Sequence, residues 1–122
     1  PAWAARGEAI PCRLTAVADE FGGEVPGRTF AIIGDESIGA GIVATLRGHR
    51  SRAVLMRNHG PFTIGSDARD AVKAAVMVED AARTVHLARQ LGEPIAMAPD
   101  AIDALFGRYQ HVYGQRPPGA HP

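Results

Sequence analysis

The chain has 122 residues, which is enough for one domain and too few for two. Its 13 basic and 13 acidic residues give a formal net charge of zero, which offers no support for nucleic acid or an acidic membrane as a partner. No apolar stretch reaches the roughly 18 residues of a membrane span, and the single cysteine, Cys12, excludes an internal disulfide and indicates a reducing, cytoplasmic environment.

The first quarter of the chain carries weak patterns. It opens at Pro1 without a helix cap or a strand pattern, so we expect that an N-terminal portion of the protein precedes this sequence. Residues 8–33 carry short apolar runs broken by two glycines at 22–23 and Pro-Gly at 26–27, which predicts extended segments and loops. Within them, 29–33 is a candidate strand.

A short helix with two glycines is predicted next. Asp35 or Ser37 can cap a helix that runs through Leu46, and Gly48 ends it. Residues 39–44 match the GxGxxA dinucleotide-binding pattern. That pattern needs its first glycine at a strand end and an acidic residue about 20 positions later, and neither condition holds here. We therefore interpret the two glycines as places where the helix packs closely.

The most informative segment is a strand-turn-strand unit over residues 53–65. An apolar run at 53–56 predicts a buried strand, Asn-His-Gly at 58–60 predicts a tight turn, and a second apolar run follows. The histidine of this turn, His59, can bind a metal through a free ring nitrogen, or it can be a turn residue bonded to the backbone. A catalytic zinc needs three protein ligands, so the others must come from elsewhere.

A long, alanine-rich helix is predicted from Ala68 to Leu91. Ser66-Asp67 provides its cap and Gly92 ends it. Its apolar face is wide, which predicts burial on more than one side, within a larger domain or at an oligomer interface. That face comprises Ala71, Ala74, Ala75, Val78, Ala81, Ala82, Val85 and Ala88.

The end of the chain carries one more helix. Pro99-Asp100 opens it, and it is expected to continue to about Val112, whereas residues 117–122 are expected to form a disordered tail. Strands that alternate with helices predict a layered α/β domain.

Two further residues are chemical candidates. Cys12 could form a thiol nucleophile pair with His59, but no orienting third group is evident, and a buried inert thiol is the favoured interpretation. Tyr113 follows the last predicted helix and is either a packing residue or, near a metal, a general acid or base.

Three ordered blocks resemble one protein family. The blocks are Ala9-Ile10-Pro11-Cys12, Arg57-Asn58-His59-Gly60-Pro61-Phe62 and Tyr113-Gly114-Gln115, with the alanine-rich helix between the last two. This order resembles the class II aldolase/adducin family, and most nearly its L-ribulose-5-phosphate 4-epimerase and fuculose-phosphate aldolase members. The resemblance implies that residues 1–116 are the C-terminal part of a three-layer α/β/α class II aldolase-like domain.

The resemblance also implies a reaction and a site. Such an enzyme acts on a sugar phosphate by reversible aldol cleavage of a carbon–carbon bond, with Zn²⁺ or another divalent metal. His59 would be the third histidine ligand of the metal, and Tyr113 would transfer protons in the active site of a neighbouring subunit. A cytoplasmic homotetramer with active sites between subunits is the implied assembly.

The chain departs from the family pattern in its upstream part. It has no His-x-His pair for the other two ligands, and it lacks the glycine- and serine-rich loops that hold the substrate phosphate. The epimerases carry a catalytic aspartate eight residues before the cysteine of the first block, and that position here is Ala4. The alternative is therefore a non-catalytic, adducin-like scaffold, or a chain that is inactive on its own.

Overall fold

A three-stranded sheet lies at the centre of the computed structural model, which describes residues 1–32, 34 and 36–111. The sheet order is β1-β2-β3, with β1 (Gly27–Arg28) parallel to β2 (Ala53–Met56) and β3 (Gly60–Thr63) antiparallel to β2. In the register of β2 and β3, Val54 is paired with Phe62. The described ranges contain five helices, of which α1, α3 and α4 contact the sheet. They are α1 (Ala2–Arg6), α2 (Thr15–Phe21), α3 (Ser37–Leu46), α4 (Ala68–Leu91) and α5 (Pro99–His111).

The central strand β2 is buried on both faces. All four of its residues are buried, and side chains of a strand alternate between the two faces. Ala53 and Leu55 belong to the main core cluster, together with one stripe of α4 and residues of α1 and α2. Val54 and Met56 are fully buried outside that cluster, and α3, which contributes nothing to the cluster, contacts β2. Helices therefore cover both faces of the sheet, as the predicted layered α/β fold requires.

The hairpin and the two C-terminal helices occur where the sequence predicts them. The side chain of Asp67 accepts a hydrogen bond of 2.8 Å from the backbone N–H of Asp70 and so caps α4. At the other end, the N–H of Gly92 donates to the carbonyl of Ala88. The last predicted helix begins at Pro99 and is described as far as His111, while 117–122 lie outside the described residues.

The prediction of loops over residues 8–33 is wrong for part of this range. Thr15–Phe21 form the helix α2, and β1 is the short strand Gly27–Arg28. Residues 29–32 of the candidate strand are not in a strand, and 33 lies outside the described residues. Helix α2 forms because Val17, Ala18 and Phe21 follow helical spacing and are buried together, and Gly22, in a left-handed conformation (φ 64°), ends it.

The prediction that Ser37 caps α3 is also wrong. Ser37 is the first helical residue, and the N-cap is Glu36, which makes no side-chain cap bond. Asp35, the other candidate cap, lies outside the described residues.

Helix α4 buries a single stripe in this structure. Ala74, Val78, Ala81 and Val85 are buried, whereas Ala75 on the same predicted face is exposed. None of the helices described here has both the length and the apolar composition to cross a lipid bilayer.

Candidate functional site

The turn that carries His59 joins β2 to β3 and is hydrogen-bonded to α1. It contains three residues, Arg57 to His59, because Met56 pairs directly with Gly60. Asn58 adopts a left-handed conformation (φ 62°), which asparagine tolerates better than most residues. Its backbone N–H donates to the carbonyl of Ala4 over 3.0 Å. The tight turn expected from Asn-His-Gly is therefore present, and α1 supports it.

The imidazole of His59 is bonded to the backbone of the segment that follows β1. Its Nε2 atom lies 2.7 Å from the carbonyl oxygen of Ala31, and the ring of Phe30 lies 5.4 Å away between centroids. Because a carbonyl can only accept, Nε2 donates in this bond, and in the neutral imidazole the lone pair is then on Nδ1. The backbone-bonded state is thus present, and it is compatible with metal binding, since a ligating histidine usually donates its other N–H to a carbonyl or carboxylate.

The described residues do not complete a metal centre by themselves. Among residues 1–32, 34 and 36–111, no three histidine, cysteine, aspartate or glutamate side chains are grouped so that they could hold a metal ion. Imidazole is a suitable donor for zinc, so His59 fits one coordination position. Two further protein ligands would have to come from outside this part of the protein.

Tyr113, the candidate acid or base, lies outside the described residues. It follows His111, the last residue of α5, by two positions. Its role as an acid or base therefore stays a prediction.

The pairing of Cys12 with His59 finds no support in the structure. Cys12 is 5% exposed and belongs to the main core cluster, which does not include His59. Burial raises the pKa of the Cys12 thiol, although the charge of Arg13 partly opposes this. Because the nucleophile is the thiolate, a buried thiol with a raised pKa is inert at neutral pH.

The glycines of α3 have a packing role at one of their two positions. Gly41 is buried, its carbonyl accepts a hydrogen bond of 3.0 Å from Arg28, and a side chain at this position would collide with the Arg28 guanidinium. Gly39 is exposed and has open space around it. Gly41 is therefore closely packed, although against the end of a flexible side chain, whereas Gly39 has no close neighbour among the described residues.

A groove of about 570 Å³ between α1 and α4 does not involve His59. Its charged groups pair with each other: Arg6 and Arg89 both contact Glu8, at 2.9 and 3.6 Å. The Arg89 guanidinium also lies over the ring of Trp3 at 5.0 Å. With its charges already paired, this groove is a weaker candidate site than the His59 turn.

Sequence reasoning missed the partners of His59. Ala31 acts through its backbone carbonyl, which no side-chain pattern can reveal, and Ala4 supports the turn in the same way. Phe30 could have been noticed as the large aromatic residue within the candidate strand 29–33. Its side chain is 55% exposed in the structure, beside the candidate ligand.

Comparisons with known proteins agree on one family. A family model described as "Class II Aldolase and Adducin N-terminal domain" matches residues 1–86. Two curated L-ribulose-5-phosphate 4-epimerases UlaF, from Salmonella paratyphi B (strain ATCC BAA-1250 / SPB7) and Salmonella typhi, are each 38% identical over 129 aligned residues. Each alignment covers 94% of this chain and 56% of the relative, so the chain spans a little more than half the length of these relatives.

The solved structure of an L-fuculose 1-phosphate aldolase has the same fold. It superposes with a TM-score of 0.79 and 23% sequence identity, and the match covers 89% of this chain and 50% of that one. The mixed α/β structure is thus part of a larger domain. With the family model covering most of its length, the chain belongs to the class II aldolase/adducin family.

Proposed function

We propose that the whole protein containing this chain is a metal-dependent enzyme that cleaves or re-forms a carbon–carbon bond of a sugar phosphate by an aldol reaction. The names of its relatives, an epimerase of L-ribulose 5-phosphate and an aldolase of L-fuculose 1-phosphate, support the substrate class. The observation that carries the proposal is the His59 turn. Its backbone is fixed by Ala4, and its ring is oriented by the Ala31 carbonyl.

His59 is proposed as one of three protein ligands of a divalent metal, with zinc as the expected ion. A metal in such a site supplies a Lewis acid that polarises a carbonyl oxygen. The contribution of this chain is to fix the imidazole in one tautomer, with Nε2 donating to Ala31 and Nδ1 free to bind. The other ligands and the phosphate-binding groups are proposed to come from the rest of the protein.

The residue at position 4 favours an aldolase over an epimerase. Ala4 takes the place where the resemblance implies the catalytic aspartate of an epimerase, and it is bonded through its carbonyl to Asn58, next to His59. Because alanine has no carboxylate, this buried position supplies none beside the turn. An enzyme without that group is expected to release the aldehyde rather than return it with inverted configuration.

The proposal is tested by assaying the full-length protein, purified with zinc, on L-ribulose 5-phosphate and L-fuculose 1-phosphate. Cleavage between C3 and C4 should convert L-ribulose 5-phosphate to dihydroxyacetone and glycolaldehyde phosphate, and L-fuculose 1-phosphate to dihydroxyacetone phosphate and lactaldehyde. We expect release of these products to exceed epimerisation. Predominant epimerisation would show that another group replaces the missing aspartate. A full-length protein that lacks metal and activity would instead favour the adducin-like scaffold.

Replacement of Tyr113 by Phe is expected to lower kcat by about 10²-fold with metal content unchanged, because a positioned general acid or base contributes about 10² or more. Steady-state kinetics and metal analysis of the same preparations measure this. An unaltered kcat would remove Tyr113 from the reaction. The proposed homotetramer places Tyr113 in a neighbour's site, so mixing Tyr113→Phe and His59→Ala subunits should restore part of the activity.

A further inference from the structure

Helix α4 carries apolar residues on two opposite sides, and the core covers one of them. The buried stripe comprises Ala74, Val78, Ala81 and Val85. Because successive residues of a helix are about 100° apart, a second stripe lies on the far side of α4. We call it the outer face of α4, and it comprises Val72, Val76, Asp80, Arg83, Leu87 and Leu91, all of which are exposed. Each of its four apolar side chains is more than half exposed.

The outer face has the same pattern in both directions along the helix. Its residues are separated by 4, 4, 3, 4 and 4 positions, and two apolar residues at each end enclose one acidic and one basic residue. We can therefore place two copies of α4 antiparallel about a two-fold axis that passes between residues 81 and 82. Val72 then faces Leu91 of the second copy, and Val76 faces its Leu87.

The two charges at the centre of the outer face follow the same symmetry. In the antiparallel arrangement, Asp80 of each copy faces Arg83 of the other, so the axis relates two ion pairs. Neither side chain has a hydrogen bond or ion pair with any residue that the structure describes. Opposite charges that meet across an interface favour the correct register and oppose others. The outer face is thus complementary to itself in both apolar contact and charge.

This symmetry distinguishes between two ways of covering the outer face. The chain spans a little more than half the length of its relatives, so another part of the same domain could lie there. Such a segment would not require the pattern of α4 to be symmetric about its own midpoint. A two-fold interface does require it, because the same surface serves on both sides. The pattern therefore favours a second copy of the chain.

We propose that the outer face of α4 is an interface between two copies of the protein, in which the two helices pack antiparallel and Asp80 of each copy pairs with Arg83 of the other. Helices in contact are about 8–10 Å apart between axes, which allows the apolar side chains at both ends to meet. A two-fold interface joins subunits in pairs, and a homotetramer can contain two such pairs. The inference does not depend on the reaction that the protein catalyses.

The first test reverses the central charges in the full-length protein. Asp80→Arg places arginines opposite each other, and Arg83→Asp places aspartates opposite each other. We expect either substitution to raise the dissociation constant of the pair at least about tenfold, because like charges across an interface oppose association. A variant that carries both substitutions restores the opposite charges and should associate as the parent protein does. Sedimentation velocity over a range of concentrations measures this.

Arg47→Asp is the matched control for charge reversal. It makes the same change as Arg83→Asp at an exposed position that ends α3, and the Arg47 side chain has no hydrogen bond or ion pair with any described residue. Its native mass should equal that of the parent protein. Thermal melting of each variant, followed by circular dichroism, checks that the fold is retained. We expect it to be retained, since exposed substitutions away from packed groups change stability little.

The second test measures the register with disulfides. Val76→Cys and Leu87→Cys subunits, co-expressed with different tags, should cross-link to each other on oxidation because the two positions face each other. Neither should cross-link to its own kind, since the two copies of position 76 would lie about 16 Å apart along the helix axis. Val72→Cys with Leu87→Cys is the mismatched control, offset by about one helical turn. The native thiol of Cys12 is buried and should not interfere.

Each outcome decides the inference. Recovery of association in the variant with both substitutions, together with cross-linking of 76 to 87, would establish the interface. A parent protein that is monomeric at every concentration, or single variants that associate as tightly as the parent, would overturn it. Single variants that lose thermal stability at unchanged native mass would show that another part of the domain covers the outer face, which also overturns it. None of these results bears on the sugar-phosphate assays, so the proposed function is tested separately.

Discussion

Replacement of His59 by Ala is expected to abolish both metal binding and activity of the full-length protein. Loss of a partner that merely orients a metal ligand costs about 10–100-fold in affinity or activity, so loss of a ligand itself should cost at least about 10²-fold in kcat. The fold should survive, because His59 is half-buried and contributes one side-chain hydrogen bond, to Ala31. That bond is worth about 1 kcal/mol. Metal analysis of the purified protein and steady-state kinetics measure the two effects.

His86→Ala is the matched control for this experiment. His86 is exposed on α4 and contacts Gln90 one turn later over 3.0 Å, so its removal should change neither metal content nor kcat. Equal zinc occupancy in His59→Ala and the parent protein would refute the ligand role and leave His59 as a turn residue bonded to Ala31. Circular dichroism of both variants checks that a loss of metal does not reflect a loss of fold.

The sequence predicted those elements whose formation depends on local chemistry. Helix α4 is long, its cap is a local bond between Asp67 and Asp70, and Gly92 ends it. The hairpin was predictable for the same reason, because Asn58 supplies the left-handed residue that the turn requires. Such features are visible in a window of a few residues.

Helix α2 could not be predicted with the same ease because distant residues stabilise it. It has seven residues, no side-chain cap bond, and a fully buried acidic residue, Glu20, which is unfavourable until Lys73 pairs with it. Lys73 is 53 positions away in the sequence. The short apolar runs in this region therefore indicate loops when the sequence is considered alone. Packing against α4 and α5 makes the segment helical.

The candidate site likewise has features that depend on neighbouring residues in the sequence and features that depend on distant ones. His59 was identified from its own neighbours in the sequence, but its orientation depends on the carbonyl of Ala31, 28 residues upstream. The role of Tyr113 came from the ordered family blocks alone, and it stays a prediction. The contacts of Lys73 with Glu20 (3.3 Å) and with the hydroxyl of Tyr109 (3.0 Å) needed the structure, since no short sequence window contains these three residues together.

Replacement of Phe21 by Ala is expected to lower the free energy of unfolding by about 3–5 kcal/mol. Phe21 is the last residue of α2, is fully buried, and belongs to the core cluster that includes Ile10 and Val25, whose backbones pair with each other. Truncation to Ala leaves a cavity among neighbours that cannot all collapse into it. Because domains are stable by only about 5–15 kcal/mol, this loss is a large part of the total.

Phe30→Ala is the matched control for stability, because it deletes the same atoms from a side chain that is 55% exposed. Its effect on unfolding should stay below about 1 kcal/mol, since little apolar area is withdrawn from water at that position. Urea titrations of both variants give the difference from the shift in midpoint at constant slope. Equal losses for the two substitutions would contradict the placement of Phe21 in the core. They would also contradict the packing of α5 against α2, which is the most extensive helix contact that α5 makes.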